Sequence, residues 1–249
     1  TYKELEQATA KMGLQVNREK TKYMVQKRDR NKNLVQGSRN AFEEVEKFKY
    51  LGVMITRDND ETIEIQGRIT AANKAYYALI GIMKSNHVHQ KTKIKIYQTI
   101  IRSVLTYGSE TWTMSKKIET MLGVFERKVL RRIFGAVLDN QVWRIRYNQE
   151  LYEKYKSMDL VTFIKLRRLE WAGHVYRMEE CRIPRRVMEG RLYGVRPIGR
   201  PRNRWTDAVT VDAKKFIGSV AWRRRSMDRE EWKRKIKEAK ARLWAVTPL

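Results

Sequence analysis

The chain has 249 residues, with 54 Lys and Arg against 28 Asp and Glu, a formal net charge of +26. At 42% hydrophobic and 33% charged it is too apolar for wholesale disorder and too charged for a bundle of membrane helices. No apolar run approaches the ~20 residues of a spanning helix, and the single cysteine, Cys181, excludes an intrachain disulfide and favours a reducing compartment, nucleus or cytoplasm.

In chain order, residues 2–12 read as a short helix ended by Gly13, and Leu14 to Asn17 and Thr21 to Lys27 as strands. Residues 29–39 are polar and turn-rich. Phe42 to Tyr50 and Leu51 to Thr56 form a further strand pair or a strand continuation, followed by a turn at Asp58-Asn59-Asp60. From Glu61 the apolar period changes from two to about 3.6 residues. Ile65 to Met83, Ile94 to Leu105 and Ile118 to Phe134 mark three long helices. Shorter ones are expected at 148–157, 161–176 and 205–217, and a last at 228–245 capped by Asp228 with Glu231 three residues on. The expected fold is α+β at the N-terminus, with a β-hairpin, and mostly α-helical from residue 61.

Charge rises along the chain. Residues 1–60 carry 13 basic and 9 acidic side chains, residues 61–160 carry 17 and 9, and residues 161–249 carry 24 and 10. The densest stretch runs from 182 to 204 and holds Arg182, Arg185, Arg186, Arg191, Arg196, Arg200, Arg202 and Arg204 against one acid, Glu189. Three prolines and three glycines there predict an extended, arginine-rich loop. A planar guanidinium suits phosphate oxygens and base stacking, so the expected partner is nucleic acid, with no membrane and no small-molecule cofactor. Most of the seven tryptophans are expected in the core; Trp205, beside Arg204, is the one given an exposed role.

Catalytic candidates are weak. Asp58 and Asp60 lack the Gly and distal Glu of a calcium loop. His174 and Cys181 have no further Cys or His near them to complete a zinc site. There is no phosphate loop and no nucleophile elbow. The residues alone describe a binding module.

Five segments in order carry a family resemblance. Gly13-Leu14-Gln15-Val16-Asn17-Arg18-Glu19-Lys20-Thr21-Lys22 and Phe48-Lys49-Tyr50-Leu51-Gly52 come first. Tyr107-Gly108-Ser109-Glu110-Thr111-Trp112, the run from Arg168 to Met178, and Gly199-Arg200-Pro201-Arg202-Asn203-Arg204-Trp205-Thr206-Asp207 follow. Together they resemble the end of the palm, the thumb and the region beyond it in endonuclease–reverse transcriptases of non-LTR (LINE-type) retrotransposons. The resemblance implies a palm remnant with a primer-grip hairpin at 1–60, a helical thumb at 61–140 and a basic helical region at 141–249. It implies that Lys20 lies near an incoming nucleotide, that Tyr50, Leu51 and Gly52 hold the primer end, and that the arginines with Trp205 touch an RNA template, a DNA target or their hybrid.

The intact parent would use Mg2+ held by aspartates to copy RNA into DNA. This chain has no Asp-Asp pair, so no metal, catalytic residue or polymerase activity is expected of it alone. With Thr1 at its start, it reads as a piece of a longer protein. The alternative is a domesticated or unrelated basic helical module that binds nucleic acid or protein.

Overall fold

The computed structural model describes residues 2–25, 42–190 and 203–245. The turn-rich segment 29–39, the side chain of Trp244, and Arg191, Arg196, Arg200 and Arg202 lie outside the described residues. The fold is mainly helical, with three two-stranded sheets among the described residues. Its contacts divide it into two units, one ending at Glu64 and one beginning at Ile65.

In the first unit α1 (Tyr2–Lys11) is followed by Gly13 at φ +70°. The strand expected over Leu14 to Asn17 is absent. Asn17 instead closes a turn: its side chain accepts from the Lys20 amide at 3.0 Å, and its carbonyl accepts the Thr21 amide and hydroxyl at 3.0 and 2.7 Å. Such local bonds compete with strand formation. What remains of the next expected strand is β1 (Lys22–Tyr23), paired in parallel with β2 (Glu43–Glu44). The hairpin foreseen further on is present as β3 (Lys47–Tyr50) and β4 (Val53–Thr56), antiparallel, with Tyr50 opposite Val53.

In the second unit the first expected helix is broken at Leu79 into α2 (Glu61–Ala78) and α3 (Ile80–Lys84). The next is a continuous run made of α4 (Gln90–Ile96), a π turn (Tyr97–Ile101) and α5 (Arg102–Leu105). A short 3-10 turn (Ser109–Thr111) leads to α6 (Lys116–Phe134), whose N-cap Ser115 accepts from the Ile118 amide. The hairpin β5 (Val137–Asp139) and β6 (Val142–Arg144) has no counterpart in the sequence reading, because its turn residues Asn140 and Gln141 carry no glycine. Next come α7 (Asn148–Tyr155) and α8 (Leu160–Tyr176), the latter capped by Asp159.

The extended loop expected from residue 182 is corrected over α9 (Ile183–Glu189). Pro184 lies in the first turn of that helix, where a missing N–H costs nothing. Then α10 (Trp205–Ile217), α11 (Trp222–Met227) and α12 (Arg229–Ala245) complete the unit. Asp228 caps α12 as anticipated, accepting from the Glu230 and Glu231 amides at 2.9 and 3.0 Å.

The second unit holds two apolar cores that meet along α8. Leu160 and Ile164 join Ile65, Tyr97, Leu105, Leu122, Leu130 and Leu151 in one. Leu166, Leu169 and Ala172 join Val209, Phe216, Trp222, Trp232 and Ile236 in the other. A helix buried on both sides has no single apolar stripe.

One carboxylate is enclosed in the first core. Glu126, on α6, is wholly buried and accepts from Tyr97 Oη at 3.0 Å, Tyr152 Oη at 3.1 Å and the Leu160 amide at 2.9 Å. Burial outweighs these bonds and pushes its carboxyl up to about 7. The folded chain therefore holds a proton that the unfolded chain has released above the ordinary glutamate range. The group's contribution to stability is greatest below that range, falls as pH rises, and levels off above about 7. Urea unfolding of wild type and Glu126→Gln should converge near pH 4.5. It should diverge by on the order of 3 kcal/mol at pH 7.5, wild type being the more pH-sensitive; parallel curves would contradict this origin.

Candidate nucleic-acid interface

Of the residues that the reverse-transcriptase resemblance points to, those in the first unit are displayed to solvent. Leu51 and Gly52 both take positive φ, 48° and 83°, the two-residue turn that suits the strand twist of a hairpin. Gly52 needs that freedom, and Leu51 adopts it at a cost. Tyr50 and Leu51 stand exposed at the tip, and Lys20 is exposed beside its Asn17-closed turn. Within the same unit the Glu64 carboxylate accepts from the Met54 amide of β4 at 2.6 Å.

Several motif residues of the second unit are turned inward. Arg168, only 2% exposed, donates through Nη1 to the carbonyls of Trp112 and Thr113 at 2.6 and 2.9 Å. Its Nε and Nη2 both reach Asp212 Oδ2, the former at 3.1 Å. Burial pushes the Asp212 carboxyl up against the pull of that guanidinium. Glu110 pairs with Arg167 at 3.6 Å, and its carbonyl accepts from Trp205 Nε1 at 2.9 Å. Trp205 is thus half-buried, which corrects the exposed role given to it. Trp232 Nε1 donates to the Leu169 carbonyl at 3.2 Å and lies against Gly173, where a Cβ would come within 2.2 Å of it. Three motifs far apart in sequence therefore form one junction around α8.

The described arginines of 182–204 are not equivalent. Arg182, Arg186 and Arg204 are exposed. Arg185 is buried: it donates to the Tyr176 carbonyl, stacks 3.8 Å from the Tyr176 ring and pairs with Glu189 at 2.7 Å. It is corrected from a candidate nucleic-acid ligand to a clamp between α9 and α8. Among the cations of the helices up to 134, Lys93 is buried, Lys128 donates to Asn73 and Tyr77, and Arg131 donates to Asn148.

A group of exposed cations among the described residues lies on α11 and α12. Arg223 and Arg224 are exposed on α11, and Arg229, Lys233 and Lys237 form an exposed stripe at four-residue spacing on α12. None of the five makes an ion pair among the described residues. The stripe spans about 12 Å. Arg177, which donates to the Ser226 carbonyl at 2.7 Å, is held below the usual arginine range by burial and by the neighbouring charge of Arg229. The signal for this surface was the spacing of Lys and Arg on the last helix, less conspicuous than the arginine-rich run before it.

His174 is exposed on α8, 5.3 Å from the half-buried Trp171 ring, and borders a shallow groove with Arg177 and Arg182. Cys181 is free and exposed. No group of three or more His, Cys, Asp or Glu among the described residues could hold a metal ion. These residues do not fit the Mg2+ site of a polymerase, and no step through a metal is derived from them. No helix of the described residues is long and apolar enough to cross a membrane.

The chain is 29% identical over 237 residues to a Caenorhabditis elegans protein named as transposon-derived, covering 92% of this chain and 85% of that one. The likeness suggests a transposable-element origin. No family model and no solved structure matches the chain.

Removing one partner of a buried charge pair strands the other. Arg168→Ala should lower unfolding free energy by about 3–5 kcal/mol, while the double change Arg168→Met with Asp212→Leu should cost clearly less than the two single changes summed. Additive costs in urea unfolding would mean the pair is not coupled. Gly173→Ala should cost about 1–3 kcal/mol through overpacking against Trp232; an unchanged melt would show that the indole can move aside.

Proposed function

We propose that this chain is a nucleic-acid-binding relic of a transposable-element reverse transcriptase, corresponding to the end of the palm, the thumb and the region beyond. The observation that carries the binding reading is the stripe Arg229, Lys233 and Lys237 with Arg223 and Arg224, exposed and without carboxylate partners among the described residues. Crowded like charges destabilise a fold unless a polyanion neutralises them. The likeness to a transposon-derived protein and the five ordered motif segments support the reverse-transcriptase reading.

In this reading the junction around α8 is the framework that motif residues preserve, and the cations outside it grip phosphates. Binding is expected to be electrostatic and largely independent of sequence, because phosphate contacts position a protein without reading bases. RNA template, DNA target and their hybrid are all candidate ligands, acting in the nucleus. No phosphoryl transfer is assigned to these residues.

Binding to duplex DNA, an RNA–DNA hybrid and single-stranded RNA should weaken linearly with the logarithm of salt concentration. Each phosphate contact should contribute about −0.9 to the slope on duplex DNA. Changing Arg224, Arg229, Lys233 and Lys237 together to Ala should flatten that slope by about two to four, whereas Arg185→Ala should lower the melting temperature and leave the slope alone. No binding by wild type at low salt would overturn the proposal.

A further inference from the structure

The hairpin β5–β6 displays an aromatic side chain that the fold does not use. Trp143 is 70% exposed, while Trp112, Trp222 and Trp232 are buried and Trp171 and Trp205 half-buried. It stands opposite Leu138, itself exposed, on one face of the hairpin. An indole left in water forgoes one of the largest apolar burials available to a side chain.

The hairpin beneath it is firmly held. The Arg144 guanidinium donates to Asp139 Oδ2 at 2.7 Å and to both oxygens of Glu150 at 2.7 and 3.0 Å, and lies 4.4 Å from the Tyr147 ring. Arg146 donates to the Ala136 carbonyl at 3.2 Å, and Arg131 donates to Asn148 at 2.7 Å. Arg144 thus ties the hairpin to α7, Arg146 joins its two flanks, and Arg131 joins α6 to α7.

They also decide its charge. Residues 127–156 contain eight basic and three acidic side chains, and Arg144 alone engages two of the three acids. Exposed Arg132, Lys154 and Lys156 have no acidic partner among the described residues. A rigid π face in a cationic setting is complementary to a base with its phosphate, and bases whose faces are free are those of single strands.

We infer that Trp143 is a stacking platform for an unpaired base of single-stranded nucleic acid, carried on a segment whose basic side chains outnumber its acidic ones and followed in sequence by Arg144 and Arg146. This rests on the nucleic-acid-binding reading above and adds a site that needs no cation of α11 or α12. The test is binding of the full chain to single-stranded RNA and DNA oligonucleotides carrying 2-aminopurine, with thermal melts of every variant.

Trp143→Ala should weaken binding about 5- to 150-fold, leave the salt slope unchanged and abolish 2-aminopurine quenching. Trp143→Phe should retain most of the affinity. Trp143→Leu, which keeps an apolar partner for Leu138 but no π face, should be as weak as Ala. Wild-type affinity in Trp143→Ala overturns the stacking site alone and leaves the phosphate-binding reading standing. No binding by wild type overturns both. Unchanged oligonucleotide affinity with loss of self-association in sedimentation would assign the face to a second copy of the chain and also overturn the inference.

Discussion

The larger unit depends on one buried guanidinium. Arg168 sits in the middle of α8 with its donors aimed at two carbonyls after the 3-10 turn and at Asp212 on α10. A charge removed from water is tolerated only when its donors are met. That requirement fixes where α10 and the chain at Trp112-Thr113 must lie. The apolar contacts of α8 add area on both sides, but area is not directional. The guanidinium supplies the direction, and with it the register in which two cores share one helix.

Trp205 and Trp232 serve the same end. Each buries much of a large ring and spends its N–H on a carbonyl, Glu110 for one and Leu169 for the other. Glu126 performs the parallel task in the first core, collecting two tyrosine hydroxyls and the first amide of α8. Polar groups thus mark the points where helices are locked, and leucines and isoleucines fill the space between. Cations that are not locked point outward, on α11 and α12 and at Arg132, Lys154 and Lys156.

Helix positions were legible from the sequence where one face is apolar, as for α10, and most of all where a side-chain cap is also present, as for α6 after Ser115 and α12 after Asp228. Short elements were not, because a two-residue turn of Asn140 and Gln141 and a one-turn helix such as α11 leave little periodicity to read. The arginine-rich run misled in a specific way: Arg185 has the same local signature as Arg186, yet an aromatic ring and a carboxylate one turn away draw it inward. Burial of a charge depends on partners distant in sequence, and composition does not encode them. The tryptophans show the converse, since Trp143 departs from the core placement expected of most of them, while Trp205, given an exposed role, is half-buried and anchored.

Architecture and the proposed binding therefore fall to different residues: motif side chains build the junction, and unpaired surface cations are the ones proposed to meet nucleic acid. The most direct measurement is lysine acetylation mapped by mass spectrometry with and without a bound oligonucleotide. The account predicts that Lys233 and Lys237 become protected, while Lys240, held 2.6 Å from Glu170, and Lys165, held 2.5 Å from Glu119, react alike in both states. Protection absent from α12, or equal at all four lysines, would contradict it.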